Sequence, residues 1–209
     1  MGQLRVGGLT PLTTIDYPGE LAAVIYCQGC PWRCSYCHNG HLVPARGGET
    51  IPWAAVLAFL KARRGLLDAV VFSGGEPTLQ SGLGAAMGTV RELGFKVGLH
   101  TAGPYPDRLE RVLHLVDWVG LDIKALPEDY AEVTGVAGSG LRAWASLRLL
   151  LAAGVAHEVR TTPLPGRDGP GDLAPLTRRL SEAGVVGHRI QTCRTDNMLD
   201  PGRVASKAA

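Results

Sequence analysis

Residues 68–101 read DAVVFSGGEPTLQSGLGAAMGTVRELGFKVGLHT, and their pattern decides the fold. Asp68 to Ser73 is a short apolar run that reads as a buried strand. Leu83 to Leu93 has helical spacing and stops at Gly94, a residue that closes helices in the left-handed conformation. Phe95 to Thr101 reads as a second strand. Strand, helix and strand in this order are most economically joined by a right-handed crossover between parallel neighbours.

The same unit repeats outward in both directions. Upstream, Leu21 to Cys27 (LAAVIYC) is a strand, and Trp53 to Arg64 is a helix with Pro52 at its first turn. Downstream, Asp107 to Leu115 is a helix, Trp118 to Ile123 (WVGLDI) a strand, and Leu141 to Ala153 a helix closed by Gly154. Glu158 to Pro163 is a strand, Asp172 to Ala183 a helix capped by Gly184, and His188 to Cys193 the last strand. These units are too few for an eight-stranded barrel. The expected fold is therefore α/β, a partial (βα)6 TIM-like barrel of parallel strands with an open lateral mouth. Leu4 to Ile15, turning at Gly7-Gly8, adds a small strand or hairpin within an N-terminal extension over 1–20. Residues 1–198 are expected to form a single domain, and 199–209 a frayed tail.

Composition narrows the function. The chain has 209 residues, 45% hydrophobic, which suits one substantial core. Lys and Arg number 21 against 19 Asp and Glu, a net charge of +2, which gives no reason to expect a nucleic-acid partner. No apolar run is long enough to span a bilayer, the start lacks a signal-peptide core, and the default location is the cytosol. Of the five cysteines, Cys27, Cys30, Cys34 and Cys37 fall within eleven positions, and Cys193 stands apart. An odd count without a secretory signal argues against a disulfide framework and for metal or redox work.

In parallel α/β barrels, sites gather at the carboxyl ends of strands, and each unusual polar motif here falls at one. The cysteine loop follows the first strand and Gly74-Gly75-Glu76-Pro77 the second. His100-Thr101 ends the third, Asp122 and Lys124 the fourth, Arg160 lies in the fifth, and Arg194 follows the sixth. The spacing Cys30-x3-Cys34-x2-Cys37 lets a short loop wrap three thiolates around one compact centre. Three ligands leave one metal position open for chemistry. Cys27, at a strand end, reads better as a small buried hydrophobe than as a fourth ligand.

This cysteine spacing, with Tyr36 before the third cysteine and a glycine-glycine-glutamate motif after the next strand, resembles the radical S-adenosylmethionine (SAM) superfamily. The resemblance implies that Cys30, Cys34 and Cys37 hold a 4Fe-4S cluster whose open iron binds the methionine part of SAM. It implies one-electron cleavage of SAM to methionine and a 5′-deoxyadenosyl radical, which takes a hydrogen atom from the substrate. It places Gly74, Gly75 and Glu76 at the methionine part, Glu76 steadying its ammonium group. The main chain at Tyr36, Cys37 and His38 would meet the adenine. Thr101, Asp122, Lys124, Arg160 and Arg194 complete the expected cofactor pocket, either arginine being able to fork onto a carboxylate. No catalytic residue is expected beyond the cluster ligands.

Ile15-Asp16-Tyr17-Pro18-Gly19, Gln28-Gly29-Cys30 and Tyr36-Cys37-His38-Asn39 are similar to glycyl-radical-enzyme activases. Val6-Gly7-Gly8-Leu9, Thr134-Gly135-Val136, Glu158-Val159-Arg160-Thr161-Thr162 and Ile190-Gln191 are most similar to the group that activates anaerobic ribonucleoside-triphosphate reductase. That resemblance implies a backbone glycine of a large partner enzyme as substrate. Two departures stand out. His100 occupies the place before Thr101 where activases of the pyruvate formate-lyase type carry Asp, and Arg194 stands where that group has a cofactor-contacting His. No cysteine lies between Cys37 and Cys193, so the chain has ligands for one cluster, and its reductant is expected to be external, a flavodoxin or ferredoxin. The alternatives are a radical enzyme acting on a small molecule, such as a deazaguanine synthase; a zinc-stabilised binding module using Cys27; and a simple electron carrier.

Overall fold

The computed structural model describes residues 2–46, 50–194 and 198–199. Seven strands form one sheet in sequential order: β1 (Val6–Thr13), β2 (Ala22–Cys27), β3 (Ala69–Gly74), β4 (Lys96–Thr101), β5 (Trp118–Asp122), β6 (Ala156–Thr161) and β7 (Arg189–Ile190). β1 runs antiparallel to β2, and every later pair is parallel. β1 and β7 are the two edges, so the curved sheet stays open. The partial barrel read from the sequence is the fold.

Among the described residues the helices α1 (Trp53–Ala62), α2 (Leu83–Glu92), α3 (Pro106–Leu113), α5 (Ser139–Ala153) and α6 (Pro170–Glu182) cover the outer face, and the short α4 (Tyr130–Thr134) follows β5 and packs beside the cysteine loop, with Tyr130 against the Trp32 ring. The two faces of each strand have different partners because successive side chains alternate. Ile25, Phe72, Leu99 and Leu121 point outward into one large core with Val56, Leu60, Met87, Leu109 and Leu147 of the helices. Ala22, Val24, Ala69 and Val71 point inward and meet Tyr17 and Trp118, whose rings lie 5.3 Å apart. These two aromatics plug the amino-terminal end of the barrel. Gly98 makes the plug possible, since a Cβ there would sit 2.9 Å from the Tyr17 ring.

Three details differ from the sequence reading. α4 was not expected; five residues are too short for a periodic signal, and the helix is defined by its buried Tyr130, Val133 and Thr134. β6 spans Ala156–Thr161 rather than 158–163, because Thr162 turns to the pocket described below and Pro163 has no N–H for the ladder. β7 pairs over two residues, not six. It has a neighbour on one side only, and the chain beyond it leaves the sheet toward the cysteine loop. There Leu199 N–H donates to the Cys37 carbonyl at 3.0 Å. Of the tail expected at 199–209, residues 200–209 lie outside the described residues. No helix among the described residues is long and apolar enough to cross a membrane.

Candidate active site at the carboxyl ends of the strands

The loop after β2 is tied down at both ends. Gly29 and Cys30 N–H groups donate to the Leu42 and Val43 carbonyls at 2.7 and 3.0 Å, and Arg33 N–H donates to Thr134 at 2.9 Å. The buried Gln28 amide donates across the loop to the His41 and Pro44 carbonyls at 3.2 and 2.7 Å. Cys30, Cys34 and Cys37 all line one pocket. Burial pushes the Cys30 thiol up to about 12 and raises that of Cys34. These thiols are protonated in the metal-free chain, and soft metal must displace the protons. Cys27 lies outside this pocket, fully buried in the core among apolar side chains.

The turn after β3 packs directly on that loop. Gly74 has φ +111°, and a Cβ on it would lie 2.4 Å from Cys27 N; one on Gly75 would lie 2.4 Å from the Gly29 carbonyl. Only glycine allows so close an approach. Gly75 N–H donates to Cys27 and Glu76 N–H to Gly29, at 2.9 and 2.8 Å. The Glu76 carboxylate is buried and accepts from Thr78 N–H and hydroxyl at 3.0 and 2.5 Å, from the Thr101 hydroxyl at 2.7 Å and from Ala102 N–H at 3.0 Å. Burial raises its pKa against these four hydrogen bonds, which lower it. Glu76 thus clamps the ends of β3 and β4 together. Oε2 accepts only from Ala102, which leaves a lone pair for a further donor.

The opposite wall carries charge. Arg160 Nε and Nη2 hold Asp122 Oδ1 at 3.0 and 2.9 Å, and Lys124 Nζ stands 3.9 Å from Asp122 Oδ2. The Arg160 guanidinium lies flat over Gly120, where a Cβ would be 2.8 Å from its Cζ. Burial would raise the Asp122 carboxyl, but Arg160 and then Lys124 overcome it and hold the pKa below the usual range. Burial likewise opposes the Lys124 ammonium, and Tyr36 and Asp122 hold it well above its usual value. His100 Nε2–H donates to the Asp16 carbonyl at 2.8 Å, while Arg160 Nη1 lies 3.4 Å from the same nitrogen. Burial, then Arg160, pulls its pKa down to about 4, so His100 is neutral at pH 7. One carboxylate against two cations leaves this wall with one surplus positive charge, suited to an anionic ligand group.

The structure thus brings together nearly every residue singled out in the sequence. Tyr36, Cys37, His38, Gly74, Gly75, Glu76, Thr101, Asp122 and Lys124 line the pocket with Cys30 and Cys34. Arg160 does not line it; its guanidinium is spent behind Asp122. Arg194 does not line it either, and meets the site through its carbonyl, which accepts from His38 Nε2. Ser73, His100, Trp32, Asn39 and Thr162 line the pocket without having been assigned to it. Ser73 and His100 lie on the same sheet face as Asp122, but the strand register that aligns them is set by tertiary pairing and not by the sequence. Among the described residues no three His, Cys, Asp or Glu converge closely enough for a single metal ion. With Cys27 in the core, a four-cysteine zinc site has no support.

Residues 24–169 match the sequence profile of the Radical SAM superfamily. This chain belongs to the radical SAM superfamily. Radical SAM proteins use a 4Fe-4S cluster and S-adenosylmethionine, and the soft donors and charged wall of this pocket fit both. Three relatives define the neighbourhood. A Methanocaldococcus jannaschii protein provisionally named as a glycyl-radical enzyme activating enzyme is 37% identical over 61% of this chain and 53% of its own length. The pyruvate formate-lyase-activating enzyme of Streptococcus mutans is 30% identical over 91% of this chain and 74% of its own. The 7-carboxy-7-deazaguanine synthase of Thermococcus kodakarensis is 38% identical over 65% and 61%. This radical SAM chain therefore spans about half the length of the first of these relatives. Streptococcus suis SuiB bound to S-adenosylmethionine shares the fold, with TM-score 0.62 and 17% identity over 82% of this chain and 40% of that one.

Proposed function

We propose that the chain is a radical SAM activase that installs a glycyl radical on a partner enzyme, and that the partner is an anaerobic ribonucleoside-triphosphate reductase. The observation that carries the reading is the convergence of Cys30, Cys34 and Cys37, the Gly74-Gly75-Glu76 turn and the Asp122–Lys124 pair on one pocket at the open end of the sheet. When bound, the cluster and SAM supply a 5′-deoxyadenosyl radical able to take hydrogen from a glycine α-carbon. The three cysteines would hold the cluster through their sulfurs, Cys30 and Cys34 losing their thiol protons to it. Gly74 and Gly75 offer a bare backbone edge to the methionine part, kept in place by Glu76. Lys124 supplies the surplus positive charge for the cofactor's carboxylate, and Arg160 keeps Asp122 ionised beside it. The main chain of residues 36–38 is positioned for the adenine, with His38 anchored to Arg194. An electron from a flavodoxin or ferredoxin completes the scheme, because the chain has cysteines for one cluster only.

The relatives named as activating enzymes favour this substrate class. The deazaguanine synthase relative favours a second reading, in which a small molecule is the substrate. The test is anaerobic reconstitution with iron and sulfide, then dithionite-driven 5′-deoxyadenosine formation with and without a candidate reductase. Expected is a glycyl-type paramagnetic signal on the reductase, in proportion to the 5′-deoxyadenosine formed. Catalytic turnover of a small-molecule substrate, with no radical on any reductase tested, would instead favour the second reading.

A further inference from the structure

Tyr36 stands out among all the described side chains: its hydroxyl is the one buried side-chain polar atom without a hydrogen-bond partner. Tyr36 is 4% exposed, so its hydroxyl is withdrawn from bulk solvent, and a buried hydroxyl left unmade bears its full desolvation cost. The ring itself is well packed, with Lys124 Nζ 5.7 Å from its centroid. A phenylalanine would fill that space without the cost, so the hydroxyl needs another explanation.

Its surroundings supply one. Tyr36 lies between Cys34 and Cys37 and lines the same pocket. Lys124, the cation against its ring, has Asp122 Oδ2 at 3.9 Å, while Arg160 takes Asp122 Oδ1 at 2.9 Å. Two donors, a hydroxyl without an acceptor and an ammonium with a distant one, therefore share a wall of the cysteine pocket. We infer that the Tyr36 hydroxyl is a positioning donor, hydrogen-bonded to an anionic acceptor that enters the pocket with the bound group. The acceptor would be either a sulfur of the cluster or the carboxylate of SAM, the two anionic groups that the cysteines and Lys124 would hold beside this wall. The inference rests on the cysteine assignment above and adds a role for the phenol itself.

The test is Tyr36→Phe in the reconstituted protein, read by iron and sulfide content, by cluster reduction potential with and without SAM, and by SAM affinity. A hydrogen bond to cluster sulfur favours the reduced state. If that is the acceptor, the variant keeps its iron and its potential falls even without SAM. If the carboxylate is the acceptor, the SAM-free potential is unchanged and SAM binds about tenfold more weakly, as for one lost hydrogen bond to a charged group. A fluorinated tyrosine at position 36 keeps the hydroxyl and strengthens it as a donor, so it should shift the same readout the opposite way. It also serves if the Phe variant fails to fold. Unchanged potential and unchanged affinity in both variants would overturn the inference while leaving the cysteine assignment standing. A wild-type chain that takes up no cubane would overturn both.

Discussion

Acidifying the cluster-free, reduced chain from pH 7 to pH 5 should weaken it chiefly through His100, with His188, whose pKa burial also lowers, contributing equally in wild type and variant. The His100 imidazole sits inside the barrel, with Trp118 edge-on at 5.6 Å and Arg160 Nη1 at 3.4 Å from Nε2. Burial and the guanidinium hold its pKa at about 4 against the ordinary 6.5. A depressed histidine contributes fully above pH 6.5, where it is neutral in both states. That contribution is lost as the pH falls from 6.5 through 4, because the unfolded chain gains the proton first. A gap of this size corresponds to a limit of about 3 kcal/mol, of which linkage places about 2 kcal/mol above pH 5. The ring is partly open to the pocket, so about 1–2 kcal/mol is the working expectation. Urea unfolding of wild type and His100→Gln at both pH values measures it. The wild type should lose that much more than the variant, whose other titrating groups are the same. Equal losses in the two proteins would refute the buried neutral imidazole.

Three other outcomes follow from the site. Gly120→Ala puts a Cβ 2.8 Å from Arg160 Cζ, and should destabilise the chain by about 1–3 kcal/mol in chemical unfolding while weakening SAM binding through the displaced Asp122–Lys124 pair. Glu76→Gln turns an NH2 toward one of four donors and should cost about 1–3 kcal/mol in the same assay; a neutral result would remove the clamp from β3 and β4. Cys34→Ala should abolish the brown absorbance and 5′-deoxyadenosine formation together, and a variant that still cleaves SAM would overturn the ligand assignment.

Much of this site was legible before any coordinates, for local reasons. Three cysteines within eight positions must lie near one another whatever the fold, and paired glycines at a strand end mark a close approach of backbone. The apolar runs and glycine-capped helices carry their own periodicity, so the α/β alternation and the open barrel could be read from one dimension. Where pairing partners set the limits, reading failed. β7 was overextended because an edge strand ends where its single neighbour stops bonding to it, and α4 was missed because burial rather than periodicity defines it.

Arg160 shows where the boundary lies. Its side-chain chemistry allowed it to be a ligand for a carboxylate. Only the register of β5 against β6 puts Asp122 opposite it and Gly120 beneath it, and so turns it from a ligand into a support. The sequence by itself determined which groups are present, their local spacing and the order of the strands, since these depend on neighbours along the chain. The tertiary structure alone decided which charges are spent on one another and which remain for a ligand, including the unpartnered Tyr36 hydroxyl. Burial and pairing depend on groups that arrive from distant parts of the chain.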